Sequence, residues 1–385
     1  LLVVSAIGLA QILAWGGSYY LIAVLARPIV ADTGWPFGWV VGGLSLGFLA
    51  TGLASPRVGR LIDRHGGRPV LAASALLLAA GQVVMAAAPV LPVYLAAWII
   101  IGVGMAAGLY DPAFATLGRL YGNEARHPIT LTTLFGGFAS TVCWPLSAFL
   151  VAHAGWRGAC LAYAAINLAV VLPLYWFGVP AEEAAAAAPA ARVAGPGAAA
   201  PRRRLAYWLV AGNLTLASIA MTVVSVHMLT LLQARGLTMA AAVGLGALIG
   251  PSQVGARIIE MGLARRRHHP VWTLIVSTVL TALGLALMFG AGELIAAGLV
   301  LYGAGAGIRS IARGTVPLAL FGREGYATLM GRLARPLMLA QAASPTLGAL
   351  LMAGMGAGGT LSTLTVVAVL NVLTALPVVA FTRER

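Results

Sequence analysis

Three ionisable side chains lie deep in apolar stretches of this 385-residue chain: Asp111, Arg309 and Arg313. A charge held in hydrocarbon is costly enough that each one is a functional hypothesis by default. Arg309 and Arg313 stand four residues apart, on one face of a helix. Two guanidinia and one carboxylate suit three uses: binding an anion, gating a passage by pairing with Asp111, or forming a fixed structural ion pair. Gln11, Trp15 and Tyr19 recur every four residues as a polar-aromatic stripe, a pattern that serves packing more often than ligand contact. Aligning Ala26-Arg27 with Ala234-Arg235 puts His227 at the place of Tyr19, and an imidazole that titrates near neutral pH suits proton coupling. Asn213 and Ser225 are placed on the same face. The expected cargo-binding set is Gln11, Trp15, Tyr19, Asp111, Asn213, His227, Arg309 and Arg313, with Asp111 and His227 as the proton-coupling groups.

No catalytic arrangement stands out. The chain has no His-Glu-x-x-His zinc motif and no lysine, hence no P-loop, and no nucleophile elbow is read in it. It is read as a non-enzyme without a cofactor. Lacking a nucleotide-binding domain, it must be driven by an ion or solute gradient.

The elements that hold these residues follow from composition. The chain is 60% hydrophobic and 9% charged, with mean hydropathy +0.94. A soluble domain carries about 25% charged residues, so soluble enzymes, nucleic-acid binders and disordered chains are excluded and a polytopic all-α membrane protein remains. The net charge of +14 does not point to nucleic acid, because the basic residues, all of them arginine, alternate by loop. Cys143 and Cys160 lie in apolar stretches and imply no disulfide framework.

A helix needs about 20 apolar residues to cross a bilayer. Twelve such runs are read, near 1–25, 36–56, 69–88, 93–118, 129–151, 158–178, 206–232, 239–262, 271–290, 294–318, 328–355 and 360–381. The first lacks an initiator Met and is read as a spanning helix with its start trimmed, not as a cleaved signal peptide. One set of alternate loops holds Arg57, Arg60, Arg64, Arg68, Arg119, Arg126, Arg192, Arg202, Arg203, Arg204, Arg265, Arg266, Arg267, Arg323, Arg383 and Arg385; the other holds Arg27, Arg157 and Arg235. The bias of basic residues to the cytoplasmic side puts both termini there, in a bacterial inner membrane. Residues 180–204, a Pro/Ala/Gly tract, are read as a cytoplasmic linker between six-span halves 1–179 and 205–385.

The halves echo one another at an offset of about 200 residues. Gly102-Val103-Gly104 matches Gly303-Ala304-Gly305, Leu120-Tyr121-Gly122 matches Leu320-Phe321-Gly322, and Pro145 matches Pro345. Val58-Gly59-Arg60-Leu61-Ile62-Asp63 is echoed by Val254-Gly255-Ala256-Arg257-Ile258-Ile259-Glu260. A duplicated six-helix unit around a central site is a transporter architecture.

Between the second and third spans, Gly59-Arg60-Leu61-Ile62-Asp63-Arg64-His65-Gly66-Gly67-Arg68 closely resembles the signature loop of the major facilitator superfamily, G-x-x-x-D-R-x-G-R-R, with Gly67 in place of a basic residue. Gly155-Trp156-Arg157 is also similar to that family. On physical grounds Gly59 allows close helix approach, Gly66 permits a tight turn, and Arg64 and Arg68 hold the loop at the anionic leaflet. Asp63 can accept bonds from a helix N-terminus or an arginine, a latch that breaks when the halves rock. The resemblance implies two pseudo-symmetric six-helix bundles, a central cavity lined by spans 1, 4, 7 and 10, and transport of a small solute by alternating access, here read as proton-coupled efflux. Organic-anion exchange or symport is the alternative. The expected partners are the solute, a proton or counter-ion and the bilayer; the chain is read as a monomer.

Two positions depart from the drug/proton antiporters of the family. Trp98 stands where they carry an arginine four residues before a glycine, and Trp144-Pro145 where they carry Gly-Pro. The stretch from Gly136 to Pro145 is faintly similar to an arsenite-exporting branch. Cys143, Met221, His227 and Met228 are the soft ligands that would serve such an ion. The Met-x-x-x-Met and His-x-x-x-Met pairs of copper-importing relatives are missing, since Ser225 follows Met221 and Leu231 follows His227 at that spacing. Packing is the favoured role for these residues, and a sensor with the same fold is the last alternative.

Overall fold

The computed structural model describes residues 2–182, 201–264, 268–290 and 292–382. Most of the inter-half linker, Arg192, Arg265, Arg266, Arg267, Arg383 and Arg385 lie outside the described residues. The described chain is helical, with no strand in it. Ten continuous stretches are long and apolar enough to cross a membrane. Two of them, Arg126–Gly178 with 53 residues and Tyr326–Phe381 with 56, are each long enough for two crossings. At 1.5 Å per residue either would run about 80 Å if straight, more than twice the hydrocarbon thickness. Each leaves the right-handed region at one glycine, Gly155 (φ 68°) in the first and Gly356 (φ 66°) in the second. Only glycine enters that left-handed region freely, so each stretch divides into two crossings and the described chain makes twelve.

The two breaks lie about 200 residues apart, matching the offset of the sequence echoes. Two further turns agree: Gly34 (φ 69°) corresponds to Gly236 (φ 87°), and Gly122 (φ 54°) to Gly322 (φ 80°). The duplication is therefore written in backbone conformation as well as in residue type.

The chain packs into two compact units. One holds the described residues up to 182 together with Arg323–Ala342, the opening of span 11; the other holds those from 201 to 322 and from 343 to 382. The first unit buries Trp98, Tyr94, Tyr163, Tyr175, Tyr326 and Phe114. Trp98 lies against Gly43 and Gly47 of span 2, Phe37–His65; a larger residue at Gly43 would collide with its ring, and one at Gly47 would press on it. The second unit packs Val223, Val224, Leu285, Leu299, Tyr302 and Leu361. Large apolar side chains such as Leu53, Phe149, Phe177, Leu350 and Val366 stay exposed, as helices solvated by lipid require. Gly43-Leu44-Ser45-Leu46-Gly47 spells the G-x-S-x-G elbow passed over in the sequence. It sits inside the Phe37–His65 helix, without the strand-to-helix turn that would expose a nucleophile.

Candidate functional site

Span 4 is broken where its acid sits. Pro112 has no N–H and its ring crowds the carbonyl four residues back, that of Gly108. The helix Leu91–Gly108 stops there, Leu109 is extended (φ −82°, ψ −157°), and a new helix runs Tyr110–Tyr121 with Asp111 in its first turn. The Gly108 carbonyl is supplied from elsewhere: Gln11 Nε2 donates to it at 2.7 Å and the Tyr175 hydroxyl at 3.2 Å. Gln11 is fully buried, and Trp15 Nε1 donates to its Oε1 at 3.1 Å. Half-buried Asp111 borders a small cavity with Ser55, Gly59, Ala115, Met330 and Gly331.

Span 1 is broken too, between the helices Leu2–Gly16 and Leu21–Thr33. Gln82 Nε2 donates to the Gly17 carbonyl at 2.7 Å, and Asn167 Nδ2 donates to Gln82 Oε1 at 3.1 Å. Asn167 itself opens a π-helical turn, Asn167–Val171, in span 6. Around the two breaks lies a cluster of rings. Trp15 has its centroid 5.0 Å from Tyr110, 5.6 Å from Tyr19 and 6.3 Å from Tyr20. Tyr19 continues to Phe48 at 5.9 Å, Tyr20 to Trp144 at 5.9 Å, and Tyr110 stacks on Phe114 at 5.1 Å.

At the signature loop, Asp63 Oδ2 accepts the Thr328 N–H at 2.8 Å, in the first turn of the helix that opens at Tyr326. Arg119 Nη1 lies 3.6 Å from Asp63 Oδ1 and donates to the Asp63 carbonyl at 3.2 Å. The Asp63 carboxylate thus faces a helix N-terminus and an arginine. Arg119 Nε also donates to Glu182 Oε2 at 2.7 Å, and Glu182 Oε1 accepts the Gly67 N–H at 3.2 Å. Gly59 packs so tightly on the Ala327 carbonyl that a side chain there would collide with it. Gly66 ends span 2 at φ 79° beside Glu182, Arg68 stacks over Trp176 at 4.3 Å, and Arg64 is exposed.

The second unit holds the other candidates. Arg309 is half-buried as a residue, but its Nε and Nη1 are shut off from solvent and have no hydrogen-bond partner among the described residues. Arg313 is half-buried one turn further along the same helix, Glu293–Phe321. His227 Nε2 meets the Pro345 carbonyl at 3.1 Å, and Asn213 Nδ2 donates to the Asn371 carbonyl at 2.8 Å and to Thr374 Oγ1 at 3.2 Å. Of the soft ligands, Cys143 Sγ lies 3.5 Å from the Ile12 carbonyl, Met228 Cε packs at Gly246, and the Met221 carbonyl is 3.5 Å from the Tyr302 hydroxyl.

The sequence reading missed four residues. Arg257 and Glu260, seen there only as a repeat echo, are both buried in the helix Ile249–Ala264. Arg257 Nε donates to the Gly307 carbonyl at 3.1 Å; Glu260 Oε1 accepts from Thr273 Oγ1 at 2.6 Å and lies 3.3 Å from His268 Nε2. An Arg and a Glu three apart inside an apolar run were signal enough. Arg119 was counted only as a loop charge, and Glu182 lay hidden in the linker tract.

The Major Facilitator Superfamily model matches residues 7–267. Human monocarboxylate transporter 11 is 34% identical over 134 residues, covering 33% of this chain and 28% of that protein. Rat monocarboxylate transporter 3 is 34% identical over 112 residues, covering 28% of this chain and 22% of that protein. The chain thus matches less than a third of the length of these relatives. The human organic anion transporter MFSD10 (TETRAN) superposes with a TM-score of 0.75 at 18% identity, over 97% of this chain and 99% of that one. FucP, a Major Facilitator Superfamily transporter in the outward conformation, gives 0.78 at 14% identity, over 97% and 98%. With twelve crossings, a duplicated half and a family match over most of its length, this chain belongs to the major facilitator superfamily of multi-pass membrane transporters.

Proposed function

We propose that this chain is a secondary carrier of small organic anions, working by alternating access between the halves 1–179 and 205–385. The observation that carries the reading is Arg309. A charged donor kept from water without a partner costs about 1–3 kcal/mol or more, and the carboxylate of a cargo would remove that penalty on binding. Arg257, held by the Gly307 carbonyl on the neighbouring span, adds a second buried guanidinium to the same unit. Monocarboxylate transporters among the relatives, and an organic anion transporter among the structural neighbours, fit the same chemistry.

In this reading Asp111 and His227 exchange the coupling proton. Asp63 with Arg119 and the Tyr326 helix end is the latch that breaks in each cycle. The protein works as a monomer in a bacterial inner membrane, with both termini in the cytoplasm. Proton-coupled efflux is the direction favoured by the sequence, and proteoliposomes with an imposed pH gradient of either sign would separate it from uptake. Flux of a labelled carboxylate tests the carrier itself. The wild type is expected to move it, and Arg309→Gln to lose at least tenfold in rate at unchanged expression. Wild-type liposomes that carry no carboxylate, or an Arg309→Gln variant as fast as wild type, would refute the reading; a sensor would give no flux at all.

A further inference from the structure

The ring cluster of the first unit does not itself hold the two breaks in place. The hydrogen bonds that stabilise the breaks come mainly from Gln11, Tyr175, Gln82 and Asn167. The rings stand beside those breaks, at residues 15, 19 and 20 in span 1 and 110 in span 4. Trp15, Tyr19 and Tyr20 are only half-buried, while Tyr110 and Phe114 form a buried stacked pair behind Trp15. Broken helices near the middle of the bilayer are where repeat-built transporters form their cargo sites. The matching places in the second unit carry no phenyl or indole ring. Trp15 corresponds to Val223 through the His227 alignment, and Tyr110 to Ile311 through Gly102 and Gly303. The duplicated halves have therefore diverged chemically, one toward rings and the other toward buried guanidinia.

We propose that Trp15, Tyr19, Tyr20 and Tyr110 form a subsite for a flat aryl group, so that the preferred cargo is an aryl carboxylate and not a short alkyl one. This rests on the organic-anion reading above. The ring centroids stand 5.0 to 6.3 Å from Trp15, and Trp15 meets Tyr19 edge-on at 81°. Ring pairs favour centroid spacings of about 4.5–7 Å, and an aryl ring set against the half-buried Trp15, Tyr19 and Tyr20 would make contacts of the same kind. A ring–ring contact and the apolar area it covers are together worth about tenfold or more in affinity.

The test uses the purified full chain in liposomes, with labelled phenylacetate and butyrate, two monoanions that differ in the ring. The expected apparent KM for phenylacetate is at least tenfold below that for butyrate. Trp15→Leu, which keeps an apolar side chain and removes the ring, should lower this preference about tenfold, and Trp15→Phe should keep most of it. If Trp15→Leu does not fold, Tyr19→Leu takes its place. Equal KM values, or a preference untouched by the leucine variants, would overturn the subsite while the carrier reading stood, since both anions would still move. If neither anion crosses, the carrier reading falls, and the thermal shift with neutral phenylacetamide decides the subsite. An upshift lost in the leucine variant supports it, and no upshift in wild type overturns it.

Discussion

Gln11 and Gly108 are joined across 97 residues of sequence by a 2.7 Å bond from the side-chain amide to the backbone carbonyl. Pro112 makes that bond necessary, because it removes the only N–H that a regular helix would have brought to Gly108. One proline thus accounts for the break in span 4, for the burial of a glutamine in span 1, and for the place of Asp111 in the first turn of a half-helix.

Gln11→Leu should leave the Gly108 carbonyl with Tyr175 alone and destabilise the protein by about 1–2 kcal/mol. Pro112→Ala should do the opposite, restoring the helical bond and raising the melting temperature in detergent, while transport falls because the break is annealed. A Pro112→Ala protein with a lower melting temperature and full transport would contradict this account of the break.

Asp63→Ala removes the acceptor of the Thr328 N–H and the charge that faces Arg119, while the backbone carbonyl that Arg119 also reaches stays, and should weaken this contact by about 1.5–3 kcal/mol. The expected readout is a changed accessibility of cysteines placed along span 11, with expression retained. Because Arg119 bonds to Asp63 and to Glu182 alike, Asp63→Ala and Arg119→Ala should be non-additive by more than about 0.5 kcal/mol in a double-mutant cycle. Strict additivity would show that the two residues act separately.

Gly155→Ala and Gly356→Ala each force a side chain into the left-handed region and should lower stability by about 1–2 kcal/mol. Gly42 is a control, since it lies inside the Phe37–His65 helix with no neighbour within 4 Å of an added Cβ. Gly42→Ala should be neutral or stabilising by up to about 1 kcal/mol. Similar melting temperatures for all three variants would mean that the breaks do not depend on glycine.

Glu260→Ala should be more harmful than Glu260→Gln. The alanine removes the carboxylate oxygen that Thr273 Oγ1 donates to at 2.6 Å, whereas the glutamine keeps a carbonyl oxygen for it. The expected gap is about 0.5–1.5 kcal/mol, the net worth of one hydrogen bond, read from unfolding midpoints of the two variants. The reverse order would show that the charge at this position matters more than the hydrogen bond.

Much of this protein is legible in its sequence. With so few charges and apolar runs at the length of a bilayer crossing, lipid-soluble helices are the only way to satisfy the backbone. The duplication was visible in Gly102 and Gly303, in Gly122 and Gly322, and in Pro145 and Pro345, because turns and close contacts demand particular residue types. Asp63 in its loop announced a carboxylate needing a donor. The helix count required only the length rule, and the two glycines at 155 and 356 carry it through.

Tertiary structure decided which polar groups answer each other. Gln11 read as a cavity residue because period alone says which face a side chain is on, not which backbone carbonyl on another helix lacks a donor. Arg119 and Glu182 are 63 residues apart and meet only through folding. Tyr110 joins the rings of span 1 because two broken helices bring it there. Local rules act over one or two turns and can be read along the chain. Unmet hydrogen bonds and ring contacts are settled between helices distant in sequence, where only the packed fold selects the partner.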